Sequence, residues 1–243
     1  MTNWENEQTK KIAVVTGGSS GIGAAIVDKL VNDSFEVFVI DKQEYVERHE
    51  SVIHIETNLA SPSQIKTTCK KIKKLTNKIS LLINCAGIYP SIHWPEYTFK
   101  LWNECLAINV TAPFLLCQQF VPLLVNNGSG QIINITSGAV YLGSRDPGYS
   151  ASKSALTGLT KSLAKNLSQF NILVNAIAPG PINTPMSRKG MRPSDIKKYV
   201  ENIPLGRFGE AQEVAALVHF LASGNATFQT GSTIHINGGL YMN

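Results

Sequence analysis

The stretch IAVVTGGSSGIG at residues 12–23 decides the fold. Its first residues have the apolar, β-branched character of a buried strand, and apolar residues from Ile22 to Leu30 recur at helical spacing. Glycines between a strand and a helix allow a tight turn and let a pyrophosphate approach the backbone, while free amides at the helix start attract its charge. The stretch therefore predicts a dinucleotide-binding turn.

Strands and helices alternate outward from this stretch. Strands are predicted at 12–16, 37–40, 52–55, 81–84, 131–135, 173–176 and 233–236, and helices at 22–31, 63–76, 100–126, 149–170 and 211–222. We expect the helix at 100–126 to split in two near Pro113, because proline lacks the amide that continues a helix. The alternation predicts an α/β doubly wound (Rossmann) fold, a seven-stranded parallel sheet with helices on both faces.

Length and composition limit the organisation of the chain. The 243 residues, 43% of them hydrophobic, suit a single catalytic domain at 11–243 that follows a polar N-terminal extension at 1–10. Prolines between 179 and 204 interrupt the alternation, and we interpret 185–209 as a lid segment.

Charge and cysteine content argue against several classes of protein. The lysine-rich stretch at 66–78 contributes to the net charge of +5 and has the pattern of a solvated helix face, so we expect no nucleic-acid partner. The polar N-terminus is unlike a secretory signal and no apolar run reaches about 18 residues, so we expect no membrane partner. The four cysteines lack metal-ligand spacing, which predicts no metal site and a cytoplasmic location.

A carboxylate after the second strand bears on the choice of cofactor. Asp41 directly follows the strand at 37–40. A carboxylate at this point accepts hydrogen bonds from both hydroxyls of an adenosine ribose and repels the additional phosphate of NADP. Ser20 occupies the place where a basic residue would reach that phosphate, although Lys42 would soften the preference. The sequence therefore favours NAD over NADP.

A tyrosine and a lysine one helical turn apart provide candidate acid–base chemistry. Tyr149 and Lys153 share one face at the start of the helix predicted at 149–170. An ammonium nearby favours the phenolate, and together with the charge of an oxidised nicotinamide it would bring the phenol pKa from about 10 to ~7. Ser137, after the strand at 131–135, supplies a hydroxyl that can hold a substrate oxygen beside the tyrosine.

Motifs spaced along the chain resemble those of the short-chain dehydrogenase/reductase family in its short, single-domain form. The resemblance covers Lys11 to about Met242. The motifs are TGGSSGIG at 16–23, NCAG at 84–87, INV at 108–110, Ser137 followed by YSASK at 149–153, PGPINTP at 179–185 and NGG at 237–239.

The resemblance implies a catalytic tetrad of Asn109, Ser137, Tyr149 and Lys153. Tyr149 would be the acid/base and Ser137 would position the substrate oxygen. Lys153 would bind the nicotinamide ribose and lower the tyrosine pKa, and Asn109 would hold a water that passes protons to solvent. The implied cofactor-binding residues are Gly17, Ser19, Ser20, Gly21, Ile22, Gly23, Asp41, Asn58, Leu59, Asn84, Ala86, Gly87, Tyr149, Lys153, Pro179, Gly180, Ile182 and Thr184.

One departure from the family pattern concerns adenine. Asn58 stands where the family usually has an aspartate, and because an amide both donates and accepts, we expect adenine binding to survive. The resemblance also implies a homotetramer. The expected substrate pocket is apolar and aromatic, built from Ile88, Tyr89, Pro90, Trp94, Ala139, Val140, Tyr141, Leu142, Met186, Met191 and Tyr199.

Three functions remain open at this point. The first is an oxidoreductase that transfers a hydride between NAD(H) and a secondary alcohol or ketone, with Tyr149 as acid/base. The second is a 3-oxoacyl-thioester (acyl-carrier-protein) reductase, whose family members typically use NADPH, against which Asp41 counts. For this function, cations near the lid would recruit the carrier: Arg145, Arg188, Lys189 and Arg192. The third is a non-catalytic dinucleotide sensor or scaffold, which would not need the acid–base set.

Overall fold

The computed structural model describes residues 11–46, 49–189 and 192–242, so the predicted extension at 1–10 lies outside the described residues. The strands are β1 (Lys11–Thr16), β2 (Phe35–Asp41), β3 (Val52–Glu56), β4 (Leu81–Asn84), β5 (Gly130–Ile135), β6 (Ile172–Pro179) and β7 (Thr233–Ile236). The helices are α1 (Gly21–Asn32), α2 (Pro62–Leu75), α3 (Phe99–Leu106), α4 (Ala112–Asn126), α5 (Ala139–Leu142), α6 (Pro147–Leu167), α7 (Pro185–Arg188), α8 (Pro193–Val200) and α9 (Ala211–Ala222).

The strands form one parallel sheet in the order β3-β2-β1-β4-β5-β6-β7. The chain moves outward from β1 in one direction and then returns to the other side of β1 with β4. The gap between the loops after β1 and β4 is therefore the switch point at which doubly wound sheets bind ligands. The predicted fold class, strand number and parallel arrangement are confirmed.

Both faces of the sheet are covered because strand residues alternate in direction. On β1, Ala13 and Val15 join a buried cluster with α1 and α9, whereas Val14 joins a second cluster with α2, α4 and α6. The predicted lysine face on α2 is solvent-exposed, and its Ile65 and Ile72 side chains are buried. All four cysteines are free thiols.

The helix at Phe99–Asn126 is continuous, so the predicted break near Pro113 is wrong. A π-helical turn at Ala107–Thr111 joins α3 to α4 and absorbs the irregularity just before the proline. By length and composition this helix qualifies as a membrane span, which was not predicted from the sequence, but half of its apolar window is buried in the protein. A core helix of a globular domain passes the same test.

Short elements appear in the connections. The segment after β6 contains α7 and α8, and Ile182 pairs with Gly209 across its base. Its role as a lid stays a prediction. Helix α5 and a 3₁₀ turn at Trp94–Glu96 were not predicted, since each is too short to show a periodic pattern.

Candidate active site

The turn after β1 is shaped by close backbone contacts. A Cβ added to Gly17 would lie 2.8 Å from the Ala86 Cα atom, and one added to Gly23 would lie 2.0 Å from the Gly17 carbonyl oxygen. Gly17 also has a φ of +71°, which favours glycine. The Thr16 hydroxyl accepts hydrogen bonds at 3.1 Å from the amides of Cys85 and Ala86, which fixes the loop after β4 against the turn.

The start of α1 fits a phosphate group. Ser20 precedes the helix without a side-chain cap, and the first turn carries no acidic residue. The first amides of α1 and the helix dipole are therefore available to an anion. A Cβ built on Gly21 would lie 3.4 Å from the Thr184 side chain, so this threonine stands across the narrow opening. The turn and the threonine together form a cradle suited to the pyrophosphate of a nicotinamide dinucleotide.

Asp41 lies against the glycine turn. Its carboxylate accepts hydrogen bonds from the Ser19 amide at 3.1 Å and from the Gln43 amide at 3.0 Å, and the residue is buried. Each carboxylate oxygen retains a second lone pair for a ligand hydroxyl. Lys42 beside it is exposed. The geometry brings the negative charge to the side of the turn where the adenosine ribose is expected.

Other predicted cofactor-binding residues are placed less directly. Asn58 is exposed at the end of β3, and its Oδ1 atom accepts a hydrogen bond from the Ala60 amide at 3.0 Å. The side chains of Leu59 and Ile182 are buried in the core, so these residues offer mainly backbone atoms to a ligand. Asn84 is also buried, and its side chain donates to Asn134 Oδ1 at 2.8 Å. Their contacts with a dinucleotide stay predictions.

The end of β6 borders the same crevice. The Pro179 carbonyl accepts a hydrogen bond from the Gly138 amide at 2.8 Å, and the Gly180 amide donates to the Ile236 carbonyl at 2.8 Å. A Cβ on Gly180 would approach the Asn237 Cα atom to 2.8 Å. The loop that carries Ser137 is thus held by the strand end that leads into the lid segment.

Tyr149 and Ser137 are brought together at the carboxyl end of β5. The side chains of Tyr149 and Ser137 interact, and both residues are partly exposed. Burial raises the pKa of the Tyr149 phenol to about 12, while the interaction with Ser137 lowers it. The lowered pKa predicted from the sequence took no account of burial, which opposes the effect of the cations. A larger lowering of the pKa is therefore needed for phenolate chemistry near neutral pH.

Lys153 lies behind the tyrosine on the same helix face. Its Nζ atom is 5.8 Å from the centre of the Tyr149 ring and donates to the Ile135 carbonyl at 2.8 Å. The residue is only 4% exposed, and burial lowers its pKa to about 8. A Cβ on Gly87 would lie 3.3 Å from Nζ, so the loop after β4 reaches the amine directly.

Asn109 occupies the π-helical turn and is fully buried. Its Oδ1 atom accepts from the Ile88 amide at 2.9 Å, and its Nδ2 atom donates to the Ile88 carbonyl at 3.1 Å and to Ser152 Oγ at 2.9 Å. Both amide hydrogens are therefore used within the protein. Asn109 fixes the loop after β4, and the water-holding role implied by the family resemblance stays a prediction.

The structure adds functional candidates that were not singled out from the sequence. The Tyr89 ring, expected only as pocket lining, meets the Tyr149 ring edge-on at 4.9 Å between centroids. Asp146 is fully buried and caps the helix that carries Tyr149. An aspartate directly before a proline at a helix start is a recognisable capping signal, so the sequence contained a clue to this residue.

The outer wall of the crevice is less enclosed than its base. Trp94 is 72% exposed, and Tyr141, Leu142, Met186 and Tyr199 are also exposed. Met191 lies outside the described residues. Two of the predicted anion-attracting cations already have partners, since Arg192 pairs with Asp195 at 2.9 Å and Arg188 Nε donates to Asn183 at 2.8 Å.

Comparisons with known proteins find a matching family model, similar sequences and a similar solved structure. A family model described as short chain dehydrogenase matches residues 11–194. A 3-oxoacyl-[acyl-carrier-protein] reductase from Aquifex aeolicus is 37% identical, with 95% of this chain and 97% of that protein covered. An acetoacetyl-CoA reductase from Cupriavidus necator is 32% identical, with 96% and 99% covered. The ligand-free aldohexose dehydrogenase of Thermoplasma acidophilum superposes with a TM-score of 0.88 at 30% identity, with 95% and 94% covered.

Proposed function

The chain belongs to the short-chain dehydrogenase/reductase family and is an NAD(P)-dependent oxidoreductase, and from that premise we propose that it interconverts a ketone and a secondary alcohol with NAD(H), using Tyr149 as acid/base. The observation that supports the proposal is the approach of Ser137 and Lys153 to Tyr149 beside the end of β5, with Asn109 bonded to Ser152 on the same helix. A protein that only binds a dinucleotide has no need of this set, which counts against the sensor or scaffold alternative.

Each member of the set has a distinct task in the proposal. The Ser137 hydroxyl holds the substrate oxygen next to the Tyr149 phenol, which gives a proton to that oxygen in reduction and takes one in oxidation. The Lys153 amine stabilises the phenolate and binds a ribose hydroxyl. Asn109 keeps the loop after β4 in place through both polar groups of Ile88. A bound nicotinamide dinucleotide supplies or accepts the hydride.

The preference for NAD over NADP rests on Asp41. Its carboxylate is held by the Ser19 and Gln43 amides, so it is not free to swing away from a ligand. A 2′-phosphate at this place would meet a fixed negative charge. We expect NAD(H) to bind at least about tenfold more tightly than NADP(H), which corresponds to about 1.4 kcal/mol.

A second candidate is reduction of a 3-oxoacyl thioester. The names of the relatives from Aquifex aeolicus and Cupriavidus necator favour this substrate class. The exposed outer wall is compatible with a substrate that extends beyond the crevice. Arg192 is paired with Asp195 and Arg188 is bonded to Asn183, so these two cations give no additional support for a docked carrier. The two candidates share one reaction and differ in what is attached to the carbonyl.

One experiment decides among these functions. Purified protein is incubated with acetoacetyl-CoA, cyclohexanone or cyclohexanol, and an aldohexose such as glucose, each with both dinucleotides, while absorbance at 340 nm is followed. Selective reduction of acetoacetyl-CoA supports the thioester function, and turnover of the simple ketone with NADH supports the broader proposal. Dinucleotide binding, measured by fluorescence, without turnover of any compound would contradict catalysis and support the sensor.

Assembly is also part of the proposal. We expect a homotetramer in which helix faces leave the solvent, since Phe99 and Phe114 on the long helix are exposed in the single chain. Light scattering after size-exclusion chromatography would give a mass near four times 26.4 kDa. A monomer mass at micromolar concentration would contradict this expectation.

A further inference from the structure

Asp146 is an unusual residue for a helix cap because it is fully buried. Most N-cap side chains lie at the surface and satisfy one amide of their own helix. The Asp146 carboxyl group satisfies the Tyr149 amide at 2.9 Å, three residues along α6. A buried carboxyl group is costly unless its oxygens are bonded, so the remaining contacts explain why it is tolerated.

The second carboxyl oxygen reaches a different part of the chain. It accepts a hydrogen bond at 3.1 Å from the amide of Ser91, in the loop after β4. The Tyr97 side chain lies near Asp146, and its hydroxyl donates to Cys105 Sγ at 3.3 Å. One side chain thus joins the helix that carries Tyr149 to a loop 55 residues away in sequence.

The tethered loop carries an aromatic ring onto the candidate acid/base. Asn109 bonds to both polar groups of Ile88, and Asp146 bonds to Ser91, so the loop is held on both sides of Tyr89. Ser91 has a φ of +62°, a conformation that disfavours residues with a Cβ and persists only when neighbouring contacts impose it. Between the two anchors, the Tyr89 ring packs edge-on against the Tyr149 ring at 4.9 Å.

We propose that Asp146 is a positioning residue: it fixes the position of the loop at residues 88–91 relative to Tyr149, so that Tyr89 forms the substrate-facing wall beside the phenol. This inference rests on the proposed function, and it adds a residue through which the acid/base and the wall of the pocket are aligned together. Its direct structural content, the tie between Asp146 and Ser91, can be measured whether or not a substrate is known.

Replacement of Asp146 by serine separates the tie from ordinary helix capping. A serine at the N-cap accepts the Tyr149 amide bond, but its single short hydroxyl does not also reach Ser91. We expect the melting temperature of Asp146→Ser to stay within about 3 °C of the wild-type value. The kcat for acetoacetyl-CoA, or for whichever ketone the wild type reduces best, should fall about 10- to 100-fold, because misplacing a reacting group is expensive.

Two further variants test the need for two acceptor oxygens and separate the tie from a general loss of stability. Asp146→Asn keeps the shape of the side chain but leaves one acceptor oxygen for the amides of Tyr149 and Ser91, so one of the two bonds is lost and we expect kcat to stay low, as in the serine variant. Because the charge of Asp146 raises the pKa of Tyr149, each variant is compared at its own pH optimum. Thr76→Ala removes side-chain bonds to the Lys78 backbone at the opposite end of the sheet, and should lower stability without changing kcat.

Hydrogen–deuterium exchange of the ligand-free protein provides the readout that does not depend on turnover. The peptide spanning 85–98 should exchange at least about tenfold faster in Asp146→Ser than in the wild type, while the peptide covering α2 should be unchanged. Unchanged exchange at 85–98, or wild-type kcat in the folded serine variant, overturns the proposal. If the wild type turns over none of the ketones, the proposed function fails, and the exchange experiment still decides whether the tie exists.

Discussion

At the glycine turn the surface offered to a ligand is mostly backbone, whereas at Tyr149 it is built from side chains that other parts of the chain hold in place. Gly17 and Gly23 leave room for the main chain, and Asp41 bonds to amides of the turn and of its own loop. Around Tyr149, the groups that align the site come from β5, from the loop after β4 and from the π-helical turn.

The difference has a physical consequence for electrostatics. Asp41 is buried against the glycine turn, and the role proposed for it depends on a charge that a short motif can reveal. Tyr149 and Lys153 are governed by burial, which raises the pKa of the phenol to about 12 and lowers the pKa of the amine to about 8. In the proposed function, the glycine turn and Asp41 select the dinucleotide by shape and charge, whereas burial shifts the pKa values of Tyr149 and Lys153 toward their neutral forms.

The largest effect is expected from removal of the phenol hydroxyl. Tyr149→Phe deletes the proton donor but leaves the glycine turn and Asp41 intact, so turnover should fall about 100- to 10,000-fold while dinucleotide affinity changes less than about threefold. Steady-state kinetics and fluorescence titration measure the two quantities. Turnover close to the wild-type rate would show that Tyr149 is not the proton donor.

A variant of Lys153 tests whether burial lowers the pKa of its amine. Its pKa is about 8 in the folded protein against 10.5 in the unfolded reference, so the unfolded state binds more protons between these values and stability rises with pH there. Relative to Lys153→Met, the wild type should gain about 3 kcal/mol of unfolding free energy from pH 8 to pH 10.5. Urea denaturation of both proteins across this range measures the gain.

If the difference in unfolding free energy between the wild type and Lys153→Met did not change with pH, the Lys153 amine would have the same pKa in the folded and unfolded states. Lys161→Met is the matched control, since it removes an exposed lysine from the same helix. This variant should track the wild type at every pH.

How much the sequence could predict follows the same division. The glycine turn was readable because strand, turn and helix are contiguous, and the seven strands were located because buried parallel strands are apolar runs. Tyr149, Lys153 and Ser137 were singled out from their spacing, and Asn109 through a family resemblance. The environment of all four depends on contacts between distant segments. The Asp146–Ser91 bond and the closure of Tyr89 over Tyr149 have no local signature.

The failed prediction at Pro113 shows the same limit. Proline predicts a helix end from local chemistry, yet tertiary packing keeps the helix continuous through the π-helical turn that contains Asn109. The irregular turn that replaces the break places a buried amide where it holds Ile88.

Asp41 offers a smaller and more selective test at the glycine turn. Asp41→Asn removes the charge and leaves one acceptor oxygen for the Ser19 and Gln43 amides, so the ratio of NADP(H) to NAD(H) dissociation constants should fall at least about tenfold. Lys42→Ala should raise that ratio slightly, because it removes an adjacent exposed cation. Fluorescence titration with both dinucleotides gives the ratios, and equal ratios in the wild type and Asp41→Asn would remove the role assigned to this carboxylate.

The smallest effect is expected at the lid cations. Arg192 makes paired hydrogen bonds to Asp195 at 2.9 and 3.1 Å on an exposed surface, where such pairs contribute little to stability and are screened by salt. If this arginine is committed to its aspartate, Arg192→Ala should change the KM for acetoacetyl-CoA less than about threefold. A tenfold rise in KM that disappears at high salt would instead indicate that the arginine leaves Asp195 to meet an anionic substrate. Charge on the lid would then contribute to substrate binding near Tyr149. Charge would no longer act only at the glycine turn and Asp41, and the contrast between the two regions would not hold.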